Sequence, residues 1–274
     1  MISNKTILIG ISVAAIAILA FQFFSQEDPT LPRIEASPDT TLSQLPDFST
    51  FKDVKEKKEA FFTTLYPIIE EENKQIIKVR NAIINLQALP FESLEPKQLA
   101  WIEKVRDYYK VDNESVSQDT FTDLLKRVDV IPPSLALTQA AIESGWGSSR
   151  FSRQGNNLFG QWCFTKGCGM VPSARDDDKA HEVAEFGSVN KSVRAYLKNL
   201  NTHSAYQTLR DKRAAIRNDS KKLTGISLAQ TLTEYSEERE KYIAKVSRFI
   251  NQNKLQRFTQ QFEQSLVAEA TIVR

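Results

Sequence analysis

The chain has 274 residues, a hydrophobic fraction of 41% and a formal net charge of +2. This length supplies one sizeable core and a smaller extension rather than several independent domains. The nearly balanced charge lacks the concentrated basic surface that nucleic-acid binding needs, and acidic residues interrupt the basic cluster from Arg210 to Lys222. We therefore predict no nucleic-acid partner.

The N-terminus carries an almost unbroken apolar stretch from Ile7 to Phe24, with Lys5 before it and Glu27 and Asp28 after it. Its length is close to the lower limit of about 17–25 residues for a membrane-spanning helix. The flanking charges favour a cytoplasmic N-terminus. We predict that residues 1–25 form a single-pass membrane anchor, with cleavage of this segment as the alternative.

Two segments separate this anchor from the rest of the chain. Residues 26–48 combine four prolines with Ser, Thr and acidic residues, a composition typical of a disordered linker. Residues 49–116 show helical spacing of apolar residues and predict an annex with one long helix, kinked or restarted near Pro67. Shorter helices are predicted over Pro96–Lys110 and Thr120–Val128.

A second apolar helix begins at Ile131-Pro-Pro-Ser134, where proline suits the first turn. Its residues are apolar on nearly every side, which predicts the buried central helix of the fold. Gly145 and Gly147 are expected to end it.

Residues 155–188 are rich in glycine and aromatic residues and predict irregular loops with a small β-hairpin. Helical spacing returns from Ser192 to Leu200, and again over Ser227 to Tyr235 and Tyr242 to Phe262. We therefore predict an α+β fold, mainly helical, with a catalytic domain at 117–260 and a C-terminal tail at 261–274.

The two cysteines, Cys163 and Cys168, lie on either side of the predicted hairpin turn. An exported domain is in an oxidising compartment, so we predict that they form a disulfide. A zinc site would need further ligands, and the chain offers only His181 and His203. No metal and no cofactor are predicted.

Glu143 is the only carboxylate between Ile131 and Phe164, in the last turn of an otherwise apolar helix. Apolar surroundings and the negative end of a helix both disfavour the ionised carboxylate. Glu143 is therefore a candidate proton donor, with Trp146 beside it as an apolar wall and a platform for a sugar ring. The alternative is a structural role, as a helix cap or an ion pair with Arg150.

The segments Gln139-Ala-Ala-Ile-Glu-Ser-Gly-Trp-Gly-Ser-Ser-Arg150 and Asn156-Asn-Leu-Phe-Gly160 resemble the paired motif of the endo-β-N-acetylglucosaminidases of glycoside hydrolase family seventy-three. The resemblance covers roughly Asp119 to Asn253. The cysteine pair and the annex look most like the membrane-associated Bax-type members of Gram-negative bacteria. The resemblance implies a lysozyme-like catalytic domain with a small β lobe, held in the periplasm by residues 7–24 in the inner membrane, and peptidoglycan glycan strands as the partner.

For individual residues, the resemblance implies that Glu143 is the general acid. The residues implied to bind substrate are Trp146, Asn157, Phe159, Tyr235 and Tyr242. In this family a second acid comes from the β lobe, and the candidates here are Asp176, Asp177, Asp178, Glu182 and Glu185.

Two mechanisms stay open at this point. A second carboxylate about 6.5–9.5 Å from the acid would activate water and invert configuration, whereas attack by the substrate's own 2-acetamido group would retain it. Tyr235 or Tyr242 would assist the second route by orienting that amide. Lytic transglycosylase action on the same glycan and a non-catalytic glycan-binding scaffold of the envelope are the alternative functions. Oligomeric state is left open.

Overall fold

A computed structural model describes residues 31–36, 41–112, 115–173 and 181–272. The predicted membrane anchor at residues 7–24 lies outside these ranges. Within the described ranges, no helix is both long enough and apolar enough to span a membrane.

The annex is built on a single long helix, α1, which spans Val54–Gln87. Asp53 caps its start by accepting a hydrogen bond from the backbone N–H of Glu56. The helix continues through Pro67. Proline removes one backbone hydrogen bond there, and the packing of the buried apolar stripe stabilises the helix in spite of this loss. Helices α2, at Pro96–Tyr109, and α3, at Gln118–Arg127, follow close to their predicted positions.

The centre of the fold is helix α4, Pro133–Glu143, whose residues from Pro133 to Ala141 are all buried. It packs against α1 and against three later helices, α8 (Gly225–Ala229), α9 (Glu240–Gln252) and α10 (Gln256–Ile272). The prediction of a buried central helix is confirmed. Its last residue, Glu143, therefore stands on the most enclosed element of the protein.

Three further helices complete the helical part of the described structure: α5 (Arg150–Gly155), α6 (Val189–Thr202) and α7 (Gln207–Asn218). The predicted C-terminal tail at 261–274 differs from what the structure shows. Helix α10 continues to Ile272 and packs against α4 and α1, with Phe262 buried, because its apolar side chains complete the core.

The sheet has three very short strands, β1 (Trp162–Cys163), β2 (Gly169–Met170) and β3 (Glu182–Ala184). Both outer strands pair antiparallel with β3, in the order β1-β3-β2, so the predicted simple hairpin is wrong. The Glu182 carboxylate explains this order, because it accepts backbone hydrogen bonds from the turn that joins β1 to β2 and so holds β3 between them. The predicted Cys163–Cys168 disulfide closes that turn.

Residues 41–50 form a strap across the catalytic part, without helix or strand over 41–47 and ending in a short 3-10 helix at Phe48–Thr50, although the sequence predicts a disordered linker over 26–48. The carbonyl oxygen of Leu42 accepts a hydrogen bond of 2.9 Å from the backbone N–H of Val189. The ring of Phe48 is only 3% exposed. A few apolar side chains are therefore enough to bind this proline-containing segment to the folded domain.

Two arginines of the basic cluster on α7, Arg210 and Arg213, are buried. Asp129 is 1% exposed, and both of its carboxylate oxygens accept hydrogen bonds from Arg217, at 2.8 and 3.0 Å. Arg80 and Arg213 lie 3.8 Å from the same carboxylate. Their charges lower the pKa of Asp129 although burial opposes the shift. This buried network ties α1 and α7 to the start of α4.

Candidate active site

The chain turns sharply directly after Glu143. Gly145, Trp146 and Gly147 have φ values of 57°, 61° and 74°, in the left-handed region that residues other than glycine seldom adopt. The Ser144 hydroxyl oxygen accepts a hydrogen bond of 2.8 Å from the backbone N–H of Gly147. The turn ends α4 at Glu143, as the two glycines predicted.

A linear series of hydrogen bonds leads from the core to Glu143. The Tyr196 hydroxyl donates to Gln139 Oε1 at 2.6 Å, and Gln139 Nε2 donates to the Tyr242 hydroxyl oxygen at 3.1 Å. The Tyr242 hydroxyl then donates to Glu143 Oε1 at 2.8 Å. Hydrogen bonds arranged in such a series polarise one another in a buried environment. We call these four side chains the Glu143 network.

The pKa of Glu143 is raised above its usual value, and burial of the carboxyl is the main cause. The hydrogen bond from Tyr242 and the positive charge of Lys245 act in the opposite direction, while the negative charge of Glu238 adds to the increase. Lys245 Nζ and Glu238 Oε2 lie 3.9 Å apart. The site therefore favours a carboxyl that keeps its proton to higher pH than an exposed glutamate does.

Two more aromatic rings extend the network sideways. The ring of Tyr235 stacks on Tyr242, with centroids 5.4 Å apart and planes at 18°, and Tyr206 lies 6.1 Å from Tyr235. The Tyr235 hydroxyl donates to the carbonyl oxygen of Phe159 at 3.4 Å. Burial raises the pKa of the Tyr235 hydroxyl well above its usual range, so this group acts as a neutral donor. The structure thus brings Tyr235 and Tyr242 together beside the acid.

Trp146 has a different position from the one that the sequence suggests. Its indole packs against Phe61, Phe62 and Phe249, with ring centroids 5.4–5.6 Å apart. Lys58 Nζ lies 5.3 Å from the same ring. These contacts give Trp146 a packing role that holds the strained turn after Glu143 on the annex, and the role as a sugar platform stays a prediction.

Asn157 and Phe159, which the family resemblance implies as substrate-binding residues, are buried. Asn157 Nδ2 donates to the carbonyl oxygens of Gln161 and Ala184, at 2.8 and 2.9 Å. The ring of Phe159 stacks on Tyr196, with centroids 3.9 Å apart. Both side chains therefore join the sheet to the helical core, and the structure shows this supporting role for them.

Of the candidates for the second acid, Glu182 and Glu185 lie within the described residues. Asp176, Asp177 and Asp178 lie outside the described residues. Glu182 is 5% exposed, and its carboxylate accepts hydrogen bonds from the backbone N–H groups of Gly167 and Gly169, at 3.0 and 2.9 Å. Glu185 is exposed, next to β3. Among these candidates, Glu182 has a clear structural role.

The same region contains Cys163, Cys168 and Glu182, whose ligand atoms lie within 4.8 Å of one another. Both sulfur atoms are bonded to each other in the disulfide. Cysteine binds a metal ion as a thiolate, so the two disulfide-bonded sulfur atoms are not available as ligands while the disulfide is intact.

The sequence interpretation did not identify Gln139 or Tyr196 as parts of the site. A signal for Gln139 was present, because a glutamine on a helix of apolar residues, four positions before Glu143, lies on the same face as the acid. Tyr196 shows no such signal, since its contact with Gln139 spans 57 positions of the chain.

The Glucosaminidase family model, described as mannosyl-glycoprotein endo-beta-N-acetylglucosaminidase, matches residues 118–255. This range contains the whole Glu143 network. The chain belongs to the glucosaminidase family and is thus a glycosidase.

Among individual proteins, the chain is 36% identical over 201 residues to Protein bax of Escherichia coli K12. This alignment covers 73% of this chain and 71% of that protein. The family is therefore the Bax-type glucosaminidase family. The catalytic domain of the autolysin Auto from Listeria monocytogenes is 17% identical, with a TM-score of 0.40, and the match covers 79% of this chain and 90% of that domain.

Proposed function

We propose that this protein is a peptidoglycan endo-β-N-acetylglucosaminidase that hydrolyses the β-1,4 bond after N-acetylglucosamine, with Glu143 as general acid. The observation that carries the proposal is the 2.8 Å hydrogen bond from Tyr242 to a largely buried carboxyl at the end of α4. Burial favours the protonated form, and a protonated carboxyl is what the departing glycosidic oxygen requires.

The Glu143 network also sets the direction of proton transfer. Tyr242 donates to Oε1 of Glu143, so Oε2 is the oxygen that carries the proton toward the substrate. Gln139 holds the Tyr242 hydroxyl from the other side, at 3.1 Å. The acid is therefore held in one orientation before the substrate arrives, which lowers the reorganisation needed during bond cleavage.

Two routes complete the reaction. In the first, a carboxylate of the β lobe activates water, and the product has inverted configuration. In the second, the substrate's 2-acetamido oxygen attacks the anomeric carbon while the bond to the glycosidic oxygen breaks and that oxygen takes the proton of Glu143. Water then opens the cyclic intermediate with overall retention of configuration, and the stacked pair Tyr235 and Tyr242 orients the acetamido group. The anomer that forms first, followed by proton NMR during hydrolysis, separates the two routes.

For the location of the protein, we propose an inner-membrane anchor at residues 7–24 with the catalytic domain in the periplasm. The apolar N-terminal stretch and the Cys163–Cys168 disulfide support this, since disulfides persist in oxidising compartments. Membrane fractionation combined with protease access from the periplasm tests it. A soluble protein, or one protected from the protease in spheroplasts, would contradict it.

The direct test of the activity is hydrolysis of purified sacculi by the full chain and by Glu143→Gln. We expect the substitution to reduce glycan release by about 10²- to 10⁴-fold, the usual contribution of a general acid. Glu92→Gln, an exposed acid of the annex, is the matched control and should release glycan normally.

Mass spectrometry of the products distinguishes the competing functions. Reducing N-acetylglucosamine ends support hydrolysis as proposed. Anhydro-muramyl ends would instead show a lytic transglycosylase, and an unmodified chain that binds sacculi without releasing glycan would be a scaffold.

A further inference from the structure

The small sheet presents large apolar side chains to solvent. Trp162 is 59% exposed, Phe164 75% and Val171 48%, while Val183 on the central strand is buried. A single exposed apolar residue is ordinary, but several on one small lobe are typical of a surface that contacts a ligand.

The Trp162 ring is held in a fixed orientation in spite of its exposure. It stacks on the imidazole of His181, with ring centroids 4.3 Å apart and planes at 19°. Trp162 pairs with Val183 of β3, and His181 directly precedes β3. The ring stack therefore connects two neighbouring strands of the lobe. One face of the indole is covered by His181, and the large exposed fraction places the other face toward solvent.

The backbone beneath the indole is also fixed. Cys163 follows Trp162 directly and is bonded to Cys168. The Glu182 carboxylate holds the turn between these cysteines through two backbone N–H groups. A rigid aromatic surface loses little conformational freedom when it binds a ligand.

This surface continues the site around Glu143. Tyr235, which stacks on Tyr242, donates a hydrogen bond to the carbonyl oxygen of Phe159. Trp162 is three residues further along the chain, so its backbone is at most about 10 Å from that carbonyl. A glycan strand that reaches Glu143 therefore passes close to the indole when it extends over the lobe.

We infer that Trp162, supported by His181, is a sugar-binding platform for a pyranose ring of the glycan on one side of the cleaved bond. The C–H groups on one face of a pyranose form an apolar surface that matches an open indole face. A protein partner would need a buried area of about 1,600 Å², which a few side chains on a three-stranded sheet do not supply. The inference deepens the proposed function and depends on a glycan being the substrate.

The test measures binding separately from cleavage, with the detergent-solubilised full chain carrying Glu143→Gln so that substrate is not consumed. A β-1,4-linked hexamer of N-acetylglucosamine is titrated calorimetrically. We expect Trp162→Ala to weaken binding about three- to tenfold, the range for loss of an aromatic contact, and Trp162→Phe to keep most of the affinity. Val267→Ala, at an exposed apolar residue of α10 outside the lobe, is the control and should bind as the parent does.

In the active chain, Trp162→Ala should raise KM for sacculi by a similar factor with kcat little changed. Hydrogen exchange at residues 163–170 and retention of the disulfide show that the lobe is intact. Hexamer affinity and KM that are both unchanged in Trp162→Ala would overturn the platform while the enzymatic function stands. Binding that depends on Trp162 in a chain that cleaves no glycan would support the platform and overturn the enzymatic function, and a chain that neither binds nor cleaves would overturn both.

Discussion

The end of helix α4 and the small sheet hold their functional side chains in different ways. Glu143 stands on a helix that the core encloses, and the hydrogen bonds behind it lead through Gln139 to the buried Tyr196. The sheet has strands of two or three residues, closed by a disulfide and by the carboxylate of Glu182. The position of Glu143 thus depends on the packing of the whole core, whereas the structure of the lobe depends on a few local contacts.

This difference has an energetic meaning. A change behind Glu143 should lower both activity and the free energy of global unfolding, because the same buried groups serve both. A change in the lobe should lower activity while the helical core stays folded, since local parts of a protein open independently when few buried contacts join them to the core. The following variants test this contrast, beginning with the largest effect.

Of these variants, Gln139→Leu should lower the free energy of unfolding the most. It leaves the buried hydroxyls of Tyr196 and Tyr242 without their shared partner, at a cost of about 2–4 kcal/mol in the free energy of unfolding. Glycan release should fall with it, because Tyr242 is no longer held toward Glu143. Urea unfolding and sacculus assays measure both, and Gln260→Leu, an exposed glutamine of α10, is the matched control. Activity lost at unchanged stability would break the proposed link between core and acid.

Tyr242→Phe should change the pH dependence of catalysis. The Tyr242 hydroxyl stabilises the ionised form of Glu143 and so lowers the pKa of the carboxyl, and its removal raises that pKa further. Because the general acid works in its protonated form, the alkaline limb of the pH–rate profile should move to higher pH. We also expect kcat to fall about ten- to hundredfold, since a hydrogen bond to a charged group contributes roughly 1.5–3 kcal/mol. An alkaline limb that stays in place or moves to lower pH would show that Glu143 does not set it.

Replacement of both cysteines by serine should affect the lobe alone. A short disulfide loop contributes about 2 kcal/mol in the chain-entropy description, and here it restrains only the turn between β1 and β2. We expect glycan binding to weaken severalfold and the main thermal transition to stay close to that of the parent protein. Hydrogen exchange should show faster opening at residues 162–170 only. Faster exchange throughout α4 would mean that lobe and core unfold as one unit.

Glu143→Gln should have the smallest effect on stability, and the effect should be favourable. A carboxyl with a raised pKa contributes stability that is fully present below its unfolded pKa and is lost as the pH rises through the folded value. Glutamine does not ionise, so the variant should equal the parent at acidic pH and exceed it at alkaline pH. A gain of about 1–3 °C in Tm at alkaline pH is expected, by calorimetry across a pH series. A loss of Tm there would indicate that the charged carboxylate stabilises the fold.

The sequence predicts the helix that ends at Glu143 better than it predicts the small sheet. Helix α4 was predictable because a long apolar run isolates Glu143, and such a run is specific for a buried helix. The strand order β1-β3-β2 was not, because strands of two or three residues are too short to show alternation of apolar and polar side chains.

Contacts between distant parts of the chain account for the other differences. Arg213 lies in a cluster that is typical of a solvated surface, but it is fully buried because Asp129, 84 positions away, supplies a carbonyl acceptor and a negative charge. Trp146 lies next to the acid in the sequence, and only the fold brings Phe61 and Phe62 to its ring. The place of the candidate acid Glu143 at the end of a buried helix was therefore predictable, but the contacts made by Arg213 and Trp146 were not.

The strap gives the protein a folding unit that is larger than the range matched by the family model. The family match covers residues 118–255, yet a Cβ atom on Gly147, in the turn after Glu143, would meet Leu45 and Phe48 at 3.2 Å. A fragment cut to the matched range would remove these side chains together with α1, and would expose the apolar surface under the catalytic turn. Work on inhibitors or crystals is better served by a fragment that starts no later than residue 41 and keeps α10.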